Sequence, residues 1–297
     1  MYDIIGKKNI YLGISAVLVV ASIVAIGVYE FEEGVDFAGG TAWHMRFASR
    51  PEAIEVQEAL AEEAGIREAI VMADADGNGV TMRLPELDEA RHAEYRAALE
   101  KRFGAGEELG YETIGPAIGE ELRSRALWAF LGVILAISLY IAFAFREVSW
   151  PVSSWKYGIV TLVTLFHDAI IPIGLVAWLG HAYGTEMNTN IIVAILVVMG
   201  FSVHDTIVVF DRIRENLRHA GNRGSFKDIV NASVNQTIVR SINTSLTLIL
   251  TLVALLMFGA ETTFPFILVM LVGTVAGIYS SIFVASPLLV AWNRKTS

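Results

Sequence analysis

The sequence predicts a membrane-spanning α-helical fold, with six transmembrane helices and one α+β domain inserted between the first and the second. Three observations carry that expectation. Hydrophobic residues fill 54% of the 297 positions and charged ones only 18%, away from the balance of an ordinary globular chain. The apolar residues gather in runs close to the roughly 20 residues that a helix needs to cross the ~30 Å hydrocarbon core. Between the first and second runs, residues 30–122 hold 22 of the 31 acidic residues and only 8 of the 22 basic ones, so an acidic block interrupts a basic remainder.

The first run, Ile10 to Val28, follows Lys7 and Lys8. It exceeds the roughly 7–15 residues of a signal-peptide core, and although Ala21-Ser22-Ile23-Val24-Ala25 offers small residues, it reads as an uncleaved helix. Five more runs follow: Leu127 to Phe145, Gly158 to Leu179, Asn190 to Phe210, Ile242 to Phe258 and Phe264 to Trp292. The last is long enough to tilt or to contain an interfacial turn. Lys7, Lys8, Arg146, Lys156, Arg212, Arg214, Arg218, Arg223, Lys227, Arg294 and Lys295 all fall on one side, whereas GHAYGTEMNT and GAETTF contain no Lys or Arg. By the excess of positive charge on the inner side, both termini are expected in the cytoplasm and residues 30–122 on the opposite face. The expected boundaries are 1–29, 30–122 and 123–297.

The inserted segment starts with a strand in which Thr41, Trp43, Met45 and Phe47 alternate with Ala42, His44 and Arg46. A helix follows after Pro51, with Ala53, Val56, Leu60 and Ala64 at helical spacing. Ala69 to Ala73 and Val80 to Leu84 are expected as short strands about a hairpin turn at DADGNG, Leu87 to Phe103 as a second helix, and Leu109 to Ile114 as a last strand. The order β-α-β-β-α-β is that of a ferredoxin-like domain.

Several chemistries are excluded. There are no cysteines, so disulfides and thiolate metal sites are out. The acidic segment lacks the clustered Lys and Arg that phosphate backbones require, which argues against nucleic acid as a partner. Asp74-Ala75-Asp76-Gly77-Asn78-Gly79 begins like a calcium loop, but Pro85 stands where a bidentate Glu is needed. No glycine-rich phosphate loop ending in GK[ST] and no nucleophile-elbow serine occurs, so the chain is expected to be no enzyme and to need no cofactor or metal.

What remains is a set of charges within apolar runs. Asp205 lies in GFSVHDTIVVFDRIRENLR, about five residues from the inner end of the fourth run. An ionised carboxylate in hydrocarbon is costly enough to mark an ion pathway or a buried pair. Asp168 lies about ten residues into the third run, beside His167, and its depth looks mismatched with that of Asp205. A facing pair of catalytic acids is therefore not expected, and His167-Asp168 reads either as a proton relay or as a helix-packing hydrogen bond. Arg240 opens the fifth run at a depth comparable to Asp205, and Thr244, Thr247 and Thr251 share its helix face. The stripe reads as a polar path meeting Asp205, or as a snorkelling arginine above threonines that pack. Arg212, Arg214 and Arg218 read as orientation signals. Asp36, Gly39, Gly40 and Thr41, in DFAGGT, read as a structural joint whose paired glycines permit a tight turn.

DFAGGT after the first run, IGPAIGEEL before the second, FHDAIIP in the third, GFSVHDTIVVFDRIREN in the fourth and NQTIVRSINTSLT entering the fifth together resemble SecF, the small membrane subunit of the SecD–SecF protein-export complex. The resemblance covers nearly the whole chain. It departs from the usual pattern at Phe201, where the family commonly has Tyr, and at His204, where it commonly has Asn. The resemblance implies an accessory motor of bacterial secretion in the cell membrane, related to resistance-nodulation-division transporters, with residues 30–122 periplasmic. It implies SecD, the SecYEG translocon, YajC or YidC, and the unfolded preprotein as partners, besides membrane lipid. It further implies that Asp205 and Arg240 serve proton conduction, with sodium as the alternative coupling ion, and leaves His204 beside the acid as a titratable group of open role. A proton-coupled efflux or lipid transporter subunit and a passive assembly subunit are the competing readings.

Overall fold

The computed structural model describes residues 2–73, 79–146, 152–221 and 224–293. The expected hairpin turn at Asp74–Asn78, and the orienting charges Arg223, Arg294 and Lys295, lie outside the described residues. Residue contacts divide the chain into two compact units, Met1–Glu32 with Trp128–Ser297, and Glu33–Leu127.

The smaller unit contains a short helix α2 (Val35–Ala38), strand β1 (Gly40–Phe47), helix α3 (Ala53–Glu63), strands β2 (Ile70–Ala73) and β3 (Gly79–Leu84), helix α4 (Glu89–Phe103) and strand β4 (Gly106–Ile114). The strands form one antiparallel sheet in the order β2-β3-β1-β4. Thr41, Trp43, Met45 and Phe47 of β1 are all buried, as their alternation requires, and pack with Val56, Leu60, Val80, Met82 and Leu99. Between His44 and Met45 the pairing jumps from Gly110 to Glu108, so Leu109 bulges from β4. Helices α3 and α4 both start on a side-chain cap. Glu52 and Glu55 form a capping box at α3, and Asp88 accepts the Arg91 N–H at 2.8 Å before α4.

The joint residues sit at the entrance to this sheet. Gly39 and Gly40 have φ of 75° and 111°, a region that L side chains rarely adopt. A Cβ on Gly39 would lie 2.8 Å from Pro116 Cα, and one on Gly40 2.7 Å from the Leu84 carbonyl oxygen. Asp36 belongs to the preceding α2 turn. Thr41, fully buried, accepts the Leu87 N–H at 3.1 Å and meets the Thr113 hydroxyl at 3.0 Å.

Among the described residues, six helices are long and apolar enough to cross a membrane. They are α1 (Lys8–Tyr29), α5 (Pro116–Ala144), α6 (Ser154–Tyr183), α7 (Thr189–Ala220), α8 (Phe226–Phe258) and a last helix in three parts: α9 (Phe264–Ser280), a π-helical turn (Ser281–Ala285) and α10 (Ser286–Trp292). Several outrun their apolar stretches, because backbone hydrogen bonding continues where the sequence turns polar. The ten residues of α7 after Phe210 carry Arg212, Arg214 and Arg218. Arg212 donates to Gln236 on α8 and to Glu215, both at 2.6 Å, while Arg214 pairs with Asp211 and lies over the Phe145 ring.

Helices α6, α7 and α9 form the interior, and small residues let them approach. A Cβ on Gly273 would lie 2.6 Å from Val198 of α7, and one on Gly277 2.8 Å from Ser202. This small-xxx-small face seats α9 directly on α7. Gly174 of α6 meets Ser22 of α1 in the same way, with a Cβ position 2.5 Å from that serine's Cβ. Ahead of α1, residues 2–5 form a clip on α8. Asn231 Oδ1 accepts the N–H groups of Ile4 and Ile5 at 3.0 and 3.1 Å, Asn235 Oδ1 accepts that of Tyr2 at 2.7 Å, and both amides donate to the Tyr2 carbonyl. Ile4 and Ile5 are buried beneath it.

Candidate functional site: two buried acids

Asp168 and Asp205 are 0% and 2% exposed, although among the described residues neither has a lysine or arginine within ion-pair distance. Their surroundings differ. Asp168, on α6, accepts three hydrogen bonds: from Ser202 Oγ of α7, from Ser280 Oγ of α9 at 2.7 Å, and from His167 Nδ1 at 2.8 Å. Asp205, on α7, accepts one from Ser245 Oγ of α8 at 3.0 Å. Its other oxygen lies 3.9 Å from His204 Nδ1, too far for a direct hydrogen bond. The His204 side chain is 65% exposed.

The depth expectation needs correcting. Ser202 bonds Asp168 and precedes Asp205 by three residues, about 4.5 Å of rise along α7. The two acids therefore lie within about one turn of each other. Counting from the edge of an apolar run misleads here because α6 and α7 extend by different lengths beyond their runs. No hydrogen bond joins the two carboxylates among the described residues. Each is held by its own serines, unlike a catalytic acid pair sharing one proton.

The expected pairing of Asp205 with Arg240 is absent as well. Arg240 is exposed, and so are Thr244, Thr247 and Thr251, whose hydroxyls donate back to the carbonyls of Arg240, Thr244 and Thr247 at 2.9, 2.7 and 3.0 Å. The stripe exists, but it does not meet Asp205. The reason is azimuth: Arg240 and Ser245 are five residues apart, so they project about 140° apart around α8. The face that does meet α7 carries Thr237, Ser241 and Ser245, all buried.

Sequence reading missed Ser202, Thr206, Ser245, Ser280 and Ser281. Thr206 and Ser281 meet hydroxyl to hydroxyl at 2.9 Å, and Ser281 opens the π-helical turn that directly follows Ser280. Such turns widen a helix and recur at functional sites. A signal was present in Gly273, Gly277, Ser280 and Ser281, a small-residue face running into two hydroxyls. The arrangement offers a buried carboxylate whose serine partner can donate to the anion or accept from the neutral acid. Among the described residues there is no cluster of three or more His, Asp or Glu positioned for a metal ion.

Residues 94–295 match the family described as protein export membrane protein SecD/SecF, C-terminal. The protein translocase subunit SecF of Thermobaculum terrenum is 44% identical over 307 aligned residues, covering 99% of this chain and 95% of the relative. The subunit SecDF of Thermus thermophilus is 37% identical across 95% of this chain, which corresponds to 37% of that longer protein. A crystal structure of SecDF from the same organism, described as a translocon-associated membrane protein, superposes with a TM-score of 0.86 at 33% identity. It takes in 99% of this chain, which spans 39% of that one. A second SecDF structure, described as the super-membrane-facing form, gives a TM-score of 0.69 at the same identity.

Six apolar helices together with these relatives define a multi-pass membrane subunit of protein transport. More narrowly, the chain belongs to the SecF side of the SecD/SecF protein-export family and is an accessory subunit of the Sec translocase.

Proposed function

We propose that this subunit couples proton flow across the cell membrane to the completion of protein export, in complex with SecD. The observation that carries the reading is Asp205: a carboxylate 2% exposed inside a six-span bundle, with a serine donor and, among the described residues, no lysine or arginine paired to it. Ionised, it accepts from Ser245. Protonated, it donates to the same oxygen, so the contact survives both states while the charge does not. His204, exposed and 3.9 Å from the second oxygen, is placed to hand a proton on through one bridging water. Moving one charge through the membrane potential supplies about 2.3 kcal/mol per 100 mV, enough to shift a two-state element severalfold.

Arg240, Thr244, Thr247 and Thr251 enter from the opposite face of α8. A charge and three hydroxyls at the start of an apolar run are poorly matched to lipid, and the SecD half would cover them in the assembled complex. In this reading Asp205 takes the proton within the chain, and Arg240 answers to the partner half. Asp168 joins the pathway as a fixed anion, held by its serine and histidine partners. The ferredoxin-like unit lies in the periplasm, both termini lie in the cytoplasm with Lys7, Lys8, Arg212, Arg214 and Arg218, and SecYEG with the emerging preprotein is the further partner.

The test is preprotein release from vesicles containing this subunit, SecD and the translocon, with and without an imposed gradient. Asp205→Asn is expected to abolish the gradient-dependent part and to block proton flow while leaving assembly intact. Normal release and normal flow in that variant would make the subunit a passive scaffold. Replacement of protons by sodium in the imposed gradient identifies the coupling ion.

A further inference from the structure

The mechanism above leaves one buried group unused. His167 is 4% exposed, its Nδ1 lies 2.8 Å from Asp168 Oδ1, and its Nε2 is buried with no hydrogen-bond partner among the described residues. The three contacts to Asp168 are all donors once Nδ1 carries the hydrogen, which is the pattern that an ionised carboxylate demands. With Nδ1 committed to donation, Nε2 of the neutral ring holds a lone pair pointed at no donor. The dyad then carries a net charge of −1 in the interior of the bundle. Uptake of one proton on Nε2 turns it into an imidazolium–carboxylate pair of zero net charge, which a low-dielectric surrounding favours.

The groups facing the dyad supply no other neutralising charge. From α7 come Ser202 and, one turn on, the acid Asp205. From α9 come Ser280 and Tyr279, whose ring stacks on His167 at 6.2 Å and whose hydroxyl donates to the Tyr11 carbonyl of α1 at 2.8 Å. Within the described residues, Asp168 has no ion-pair partner other than His167.

We propose that the His167–Asp168 dyad is a second proton-holding site of this subunit, separate from Asp205, with His167 Nε2 as the atom that takes the proton. The proposal rests on the reading that the subunit moves protons. A proton delivered by water bonds to the Nε2 lone pair, and on release that electron pair returns to the nitrogen. No other bond changes. Asp168 holds the ring in the tautomer that exposes Nε2, a positioning role. Because Asp168 also grips Ser202 and Ser280, occupancy of the dyad is felt on α7 and α9 together.

The experiment uses vesicles carrying the subunit with SecD, and compares His167→Asn, Asp205→Asn and wild type. Asparagine keeps an N–H where Nδ1 meets Asp168 but offers no ring nitrogen at the Nε2 position. We expect His167→Asn to assemble normally, to lower proton flow at least about tenfold, and to lose an infrared imidazolium band that acidification raises in the wild type. Unchanged flow with that band retained overturns the proposal. Loss of flow in Asp205→Asn but not in His167→Asn removes the dyad and leaves the role of Asp205 standing. If neither variant alters flow, the proton-coupling reading itself falls, and the band alone decides whether the dyad holds a proton. Should His167→Asn fail to assemble, the wild-type complex with nitrogen-labelled histidine gives the answer. A buried ring with fixed Nδ1–H and titrating Nε2 supports the proposal, and a ring that keeps one neutral form at every pH sinks it.

Discussion

Asp168 and Asp205 are the same residue type at nearly the same level of one bundle, yet one accepts three hydrogen bonds and the other accepts one. The first is enclosed by helices that approach through glycine and serine. The second lies against α8, which buries little of its length inside the chain. The contrast teaches that burial alone does not define a working acid. A carboxylate with three donors is a fixed anion around which helices are arranged, whereas one with a single reversible donor is free to change charge.

Four substitutions put that contrast at risk. The largest effect is expected for Asp168→Ala, which removes the carboxylate acceptor of Ser202 and His167, leaves Ser280 only the Gly277 carbonyl, and should destabilise the subunit by about 2–4 kcal/mol. Thermal unfolding of the detergent-purified complex measures it. Asp205→Asn, the isosteric change at the other acid, should stay within about 1 kcal/mol of wild type. Equal losses at the two sites would erase the distinction between a structural and a working acid. Next comes Gly277→Val, whose side chain must displace Ser202, with an overpacking cost of about 1–3 kcal/mol. The same variant should loosen the Ser202 contact to Asp168 and leave the Ser245 contact to Asp205 intact. Crosslinking between cysteines placed on α7 and α9 would report it. The smallest effect is expected for Ser245→Ala, about 1 kcal/mol. Its sign carries a pH dependence: the ionised carboxylate loses the one hydrogen-bond donor it has among the described residues, whereas the neutral acid loses less, so the cost should grow as rising pH ionises Asp205. A cost independent of pH would mean that Ser245 is packing and not a partner of the charge.

Much of the architecture was legible beforehand, since the features concerned repeat along the chain. The six apolar runs each became a helix, and the alternation of Thr41, Trp43, Met45 and Phe47 became the buried face of β1. The acids themselves were also visible, because a charge inside an apolar run stands out by composition alone. Apart from His167 beside Asp168, their partners were not. Serine and threonine are unremarkable in membrane helices, and which of them turns inward depends on the rotation of each helix, set by contacts such as Gly277 on Ser202. Equal depth made Arg240 look like the partner of Asp205. Depth fixes only one cylindrical coordinate, and the angle around α8 pointed the arginine the other way.

The clip formed by residues 2–5 carries a consequence for the order in which the chain becomes whole. Its acceptors, Asn231 and Asn235, lie 226 to 233 residues downstream of the groups they bind. During synthesis that segment has no mate until the start of α8 has been made, so the four preceding membrane-length helices α1, α5, α6 and α7 and the whole sheet are synthesised before residues 2–5 can dock. Closing so long a loop has an entropic penalty that rises only slowly with length. The wait is therefore one of translation time, and the docking of residues 2–5 is a late seal onto the opening turns of the helix carrying Ser245.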